Sequence, residues 1–88
     1  MKLVVMSVRD RASDVFGRPY FSPSVGGAKR SFRDEINRVS DDNMLNRHPE
    51  DFDLYELGFF YDDEGTFELH DKPRQVEIGK DCVERRDA

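Results

Sequence analysis

The segment KLVVMSV, residues 2–8, constrains the fold more than any other feature, because it is apolar on both of its faces. Its β-branched residues, bounded by Arg9, Asp10 and Arg11, predict a strand. Alternation sends Lys2, Val4, Met6 and Val8 one way and Leu3, Val5, Ser7 and Arg9 the other. A strand of this kind needs cover on both sides. Yet only one stretch has a clear helical period: Ala28, Phe32, Ile36 and Val39 recur at spacings of four, four and three. A single amphipathic helix covers one face of a sheet. A chain of 88 residues buries little more than about 60% of its surface by itself. The second face is therefore expected to be closed by self-association, as a homodimer or higher oligomer. The alternative is an aromatic face that stacks bases or docks another protein.

The remaining pattern completes an α+β expectation: a small, mostly antiparallel sheet of three to four strands with one main helix over about 25–39. Residues 10–17 are polar and read as a loop. Residues 18–22 form a short extended piece that Pro19 confines to an edge or a strand start. Ser24 is the expected N-cap. Residues 40–47 read as a loop with a Met44, Leu45 anchor, and residues 48–51, HPED, as one helical turn with its proline first and its acids at the positive end. A strand is expected over 53–61, with a helix over 50–57 stopped by Gly58 as the alternative. Plain alternation groups Phe52, Leu54 and Phe60 against Tyr55, Leu57, Phe59 and Tyr61. Residues 62–65, DDEG, form a hairpin loop, and 66–70 return as the partner strand. Pro73 is expected to interrupt that strand before a last short one at 75–78. The chain reads as one domain over 1–80 with a fraying tail over 81–88.

Charge is segregated. Residues 1–38 hold eight Lys or Arg against four acids, a balance of +4, whereas residues 39–71 hold Arg47 alone against eleven acids, or −10. The last 17 residues add +1, giving the chain its net −5. Such asymmetry predicts two surfaces of opposite sign, one facing a polyanion, unless the two regions neutralise each other across the fold or between subunits. Arg9, Arg11, Arg18, Lys29, Arg30, Arg33 and Arg38 are the candidate phosphate contacts, and Tyr20 and Phe21 follow Arg18 directly. Cations interleaved with aromatics suit single strands, whose bases stack on rings while their phosphates meet cations. Gly26 and Gly27 in the first helical turn leave backbone N–H groups that suit a phosphate. Core packing of the rings and pairing of the cations with the acidic middle are the competing readings.

Enzymatic chemistry is not expected. His48 precedes Pro49 and reads as a turn cap, and His70 as a solvated strand end. Asp62, Asp63 and Glu64 match no calcium-loop spacing. The glycine pair lacks a phosphate-loop lysine. Cys82, the lone cysteine, reads as an incidental thiol. No metal or cofactor is expected. No run of about 18 apolar residues predicts a membrane span, and the six residues between Lys2 and Arg9 are too few for a signal peptide.

Three stretches carry a resemblance: KLVVMSVRD, FGRPYFSPSVGGAKRSFRDEINR and HPEDFDLYELGFFYDDEGTFE. Over roughly residues 2–72 the chain resembles the small nonstructural protein of gokushoviruses, microviruses with single-stranded DNA genomes. The resemblance implies a non-enzymatic phage protein of the host cytoplasm that binds single-stranded DNA during viral strand synthesis or genome packaging. A second role it allows is a protein-interaction regulator that docks on replication or capsid proteins through the acidic hairpin. It supplies no catalytic residues.

Overall fold

A computed structural model describes residues 1–84 of the chain. One helix lies against a curled antiparallel sheet, the α+β arrangement expected. The elements run β1 (Lys2–Asp10), β2 (Val15–Phe16), β3 (Tyr20–Ser22), α1 (Val25–Asn37), α2 (Met44–Arg47), β4 (Phe52–Tyr61) and β5 (Thr66–Ile78). A 3-10 turn, Pro49–Asp51, leads into β4, and another, Gly79–Cys82, follows β5. The sheet order is β2-β1-β4-β5, with β3 also paired to β1. β1 is thus the sheet's inner strand, as its two apolar faces require.

The core lies between the sheet and α1. Val4 and Met6 meet Ala28, Phe32, Ile36, Phe52, Leu54 and Cys82 there. Ser24 caps α1, its hydroxyl accepting from the Gly27 N–H at 3.0 Å. The helix stops at Asn37, two residues early, and Val39 is 88% exposed rather than on the apolar face. The cause lies in the next segment. The Asn43 side-chain amide donates to the Glu35 and Arg38 carbonyls, both at 2.8 Å, and the Asn46 amide to the Ile36 carbonyl at 2.9 Å. These are carbonyls that a continuing helix would bond itself. The expected loop at 40–47 therefore contains a one-turn helix, α2, capped by Asn43. Leu45 packs against the core as its anchor, while Met44 is exposed.

The strand reading of 53–61 holds, but its alternation changes partway. Val5 pairs with Gly58 and Met6 with Glu56, so Leu57 has no partner on β1. This bulge reverses which residues face which way. Phe52, Leu54 and Glu56 share the helix side with Phe59, while Tyr55, Gly58 and Phe60 share the opposite side. β5 runs through Pro73 without ending. Its ladder to β4 jumps from Leu69 to Arg74, so the proline sits in a bulge on the sheet's edge, where no ladder N–H is needed. Residues 15–16, expected in a loop, pair with Arg9 and Asp10 as β2. The packed domain also extends past residue 80. Cys82 is fully buried and the Glu84 N–H bonds the Asn37 side chain at 2.9 Å, so fraying does not begin at 81. The rest of the expected tail, 85–88, lies outside the described residues.

Candidate nucleic-acid interface

The eight candidate contact residues do not share a surface. Arg9 lies on the sheet face away from α1, 2.6 Å from Asp14 and over the Phe16 ring. The Asp14 bond holds the Arg9 guanidinium above its ordinary pKa. Arg11 reaches the buried Asp53 carboxylate at 3.2 Å and also bonds the Glu50 carbonyl. Arg38 is taken by Glu35 at 2.6 Å, three residues back on the same chain. That bond lowers the Glu35 pKa and raises that of Arg38. These three arginines are committed to acids of the chain itself.

Lys29, Arg30 and Arg33 form the group that remains. They line one shallow depression on α1 together with Gly26 and Glu77. Lys29 approaches Glu77 at 3.8 Å. Among the described residues, Arg18, Arg30 and Arg33 make no ion pair. No acid occupies the first turn of α1. Nothing stands within 4 Å of where a side chain on Gly26 would begin, so the helix start is open. Cations and the positive end of the helix dipole therefore lie on one surface, while the Gly27 N–H offered to a phosphate by the sequence is already taken by Ser24.

Tyr20 lies on β3, opposite Met6, and is only partly exposed. Its phenol pKa is raised by loss of water. Phe21, its neighbour in the sequence reading, points the other way, onto the sheet face away from α1, where further aromatics join it. Phe21, Phe60 and Phe67 touch there, with ring centroids 5.1 Å apart for Phe21 and Phe60 and 4.8 Å for Phe60 and Phe67. Phe16 and Tyr55 form a second contact, edge to face at 5.0 Å. The Leu57 bulge hid this grouping, because plain alternation put Phe60 and Tyr55 on opposite faces.

The other candidates resolve as follows. His70 is not solvated. Its Nε2 lies 2.7 Å from Glu56 Oε1, and its ring packs edge-on against Phe59. Alternation from Glu68, which pairs with Phe59, puts it on the helix side, where Glu56 is buried. His48 makes no capping bond with its side chain; its carbonyl accepts from Asp51 N–H at 3.0 Å. Asp62 holds the terminal amine of Met1 at 2.5 Å at the hairpin tip and keeps it charged above its usual range. Cys82 is a core residue whose thiol burial pushes up to about 11.

With this geometry in place, comparison with known proteins supplies a lineage. A family model described as the phage ORF5 protein matches residues 3–82. The chain belongs to the phage ORF5 protein family. One relative, Protein ORF5 of Chlamydia phage 1, is 36% identical over 69 residues, which cover 76% of this chain and 72% of the relative. That phage is a gokushovirus, so the resemblance read from the sequence is borne out. No solved structure matches. ORF5 is a phage protein, and its relative carries no enzymatic name. Among the described residues, no helix is long and apolar enough to cross a membrane.

Proposed function

We propose that this ORF5 protein is a non-enzymatic binder of single-stranded DNA, working in the host cytoplasm during viral strand synthesis or packaging, and that the exposed face of α1 is its phosphate-binding surface. The observation that carries the reading is the Lys29, Arg30 and Arg33 cluster beside the open helix start. Two of its three cations have no acid partner among the described residues, so they meet a phosphate without first giving up an ion pair. Contacts of this kind position a backbone and carry no sequence information. Little base preference is therefore expected.

The test is the binding of a labelled single-stranded oligonucleotide to the full chain across a salt series. Affinity should fall with salt, and Arg30→Ala combined with Arg33→Ala should flatten the slope by about 1.4, at about 0.7 per lost contact. Absence of binding at low salt would sink the reading. A regulator that acts through protein contacts is the second reading, and the exposed aromatic sheet face favours it. It expects viral replication or capsid proteins to co-purify from infected cells. Recovery of neither would count against it.

A further inference from the structure

The sheet face away from α1 carries three touching phenylalanines that nothing in the chain covers among the described residues. Phe21 is 51% exposed, Phe67 56% and the adjacent Leu69 62%. We infer that this face is a self-complementary interface that a second copy of the chain closes around a two-fold axis.

Two features favour a second copy over other occupants. The first is area. Half-exposed side chains of this size leave about 100 Å² each, so Phe16, Phe21, Phe67 and Leu69 offer about 400 Å² per copy. With the polar rim this reaches the roughly 1,000 Å² total of a specific small interface. The second is charge. The hairpin tip beyond Phe60 and Phe67 carries Asp63 and Glu64 besides the amine-bound Asp62. At the opposite end of β1, Arg9 is held by Asp14, but Arg18, which follows Gly17, whose N–H bonds the Val8 carbonyl there, makes no ion pair among the described residues. A two-fold arrangement lays the acidic tip of each copy toward Arg18 of its partner. A nucleic acid on the same face would meet the acidic tip unfavourably. The DNA surface on α1 lies on the other layer of the fold and stays open in such a dimer, so the two readings stand or fall separately.

The experiment is sedimentation of the full chain and three variants at concentrations up to about 100 µM, above the micromolar Kd expected of a small interface. The native chain should run at twice its 10.3 kDa mass. Phe67→Asp, at a half-exposed position outside the core between sheet and helix, should run as a monomer with an unchanged circular dichroism spectrum. Arg18→Glu should weaken the dimer at least tenfold, and adding Asp63→Lys should restore part of the loss. A native monomer at the highest concentration overturns the inference. So does a dimer that survives Phe67→Asp, or a monomer whose oligothymidine binding is lost in Phe67→Asp, which would make the face a base-stacking platform.

Discussion

Gly58→Ala is the substitution whose cost the structure defines most sharply. Gly58 has φ of +152°, a conformation that residues with a Cβ rarely adopt. It sits opposite Val5 at the point where Leu57 bulges out. A Cβ there would lie 2.3 Å from the Glu68 carbonyl oxygen and 2.6 Å from the Leu69 Cα, both backbone atoms of β5. The backbone conformation alone costs about 1–3 kcal/mol. Moving β5 aside by about 1 Å also breaks one or two ladder hydrogen bonds, at about 1 kcal/mol each. The expected loss is about 2–5 kcal/mol. A domain of this size is stable by about 4–13 kcal/mol, so the variant should be close to unfolding. Urea unfolding followed by circular dichroism measures it. With an m-value of about 1 kcal/mol/M, the midpoint should fall by about 2–5 M or the chain should fail to fold. Gly26→Ala is the control, because its Cβ would meet nothing within 4 Å. It should leave stability unchanged or raise it by up to about 1 kcal/mol through helix propensity. A Gly58→Ala midpoint within about 1 M of the native value would refute the bulge geometry and the face assignment built on it.

Asn43→Ala should lose about 2–4 kcal/mol, since it strips the Glu35 and Arg38 carbonyls and the Leu45 N–H of their partner in a buried place; a loss under about 0.5 kcal/mol in the same unfolding assay would contradict that role. Cys82 should resist thiol reagents in the folded protein and react at once in urea, because it is fully buried and donates to the Ile78 carbonyl; fast native labelling would place it elsewhere. Its raised pKa also sets a direction with pH. The folded state binds the thiol proton more tightly than the unfolded one, so the stabilisation is full below pH 9.0 and is lost as pH rises toward about 11. Cys82→Ala should remove that part of the alkaline loss.

The strand KLVVMSV, the helix face Ala28, Phe32 and Ile36, and the aromatic strand were all legible, because period and propensity agree in each. What stayed hidden depends on partners distant in sequence. Val39 continues the helical spacing of Ile36, but Asn43 and Asn46 take the carbonyls that the helix would need. Phe60 and Tyr55 share a face only because Leu57 is skipped in pairing with β1, and a bulge leaves no period in the sequence. Pro73 looks like a strand break to any local rule, yet an edge position lets the strand run through it. His70 is one histidine among acids until the fold sets it against Glu56. Lys29, Arg30 and Arg33 were among the candidates, but neither their grouping apart from the rest nor the commitment of Arg9, Arg11 and Arg38 to acids was legible.

That commitment limits how many phosphates the proposed surface can meet. Seven basic residues acting together would give a salt slope of about −5 on single strands. Asp14, Asp53 and Glu35 already hold Arg9, Arg11 and Arg38, and Glu77 approaches Lys29. An arginine paired in the free protein must exchange that partner for a phosphate, and the exchange releases little net charge. Arg30 and Arg33 remain on α1, with Lys29 in part, so the slope per chain should lie between about −1.4 and −2. Of these acids only Asp53 belongs to the acidic middle; Asp14 and Glu35 lie in the basic third itself, so that third neutralises part of its own charge and leaves a small cluster exposed on the helix. Oligonucleotide titrations from low to moderate salt separate the two cases. A slope near −5 would mean that the sheet-side arginines abandon their acids on binding, and α1 would lose its claim to be the phosphate surface.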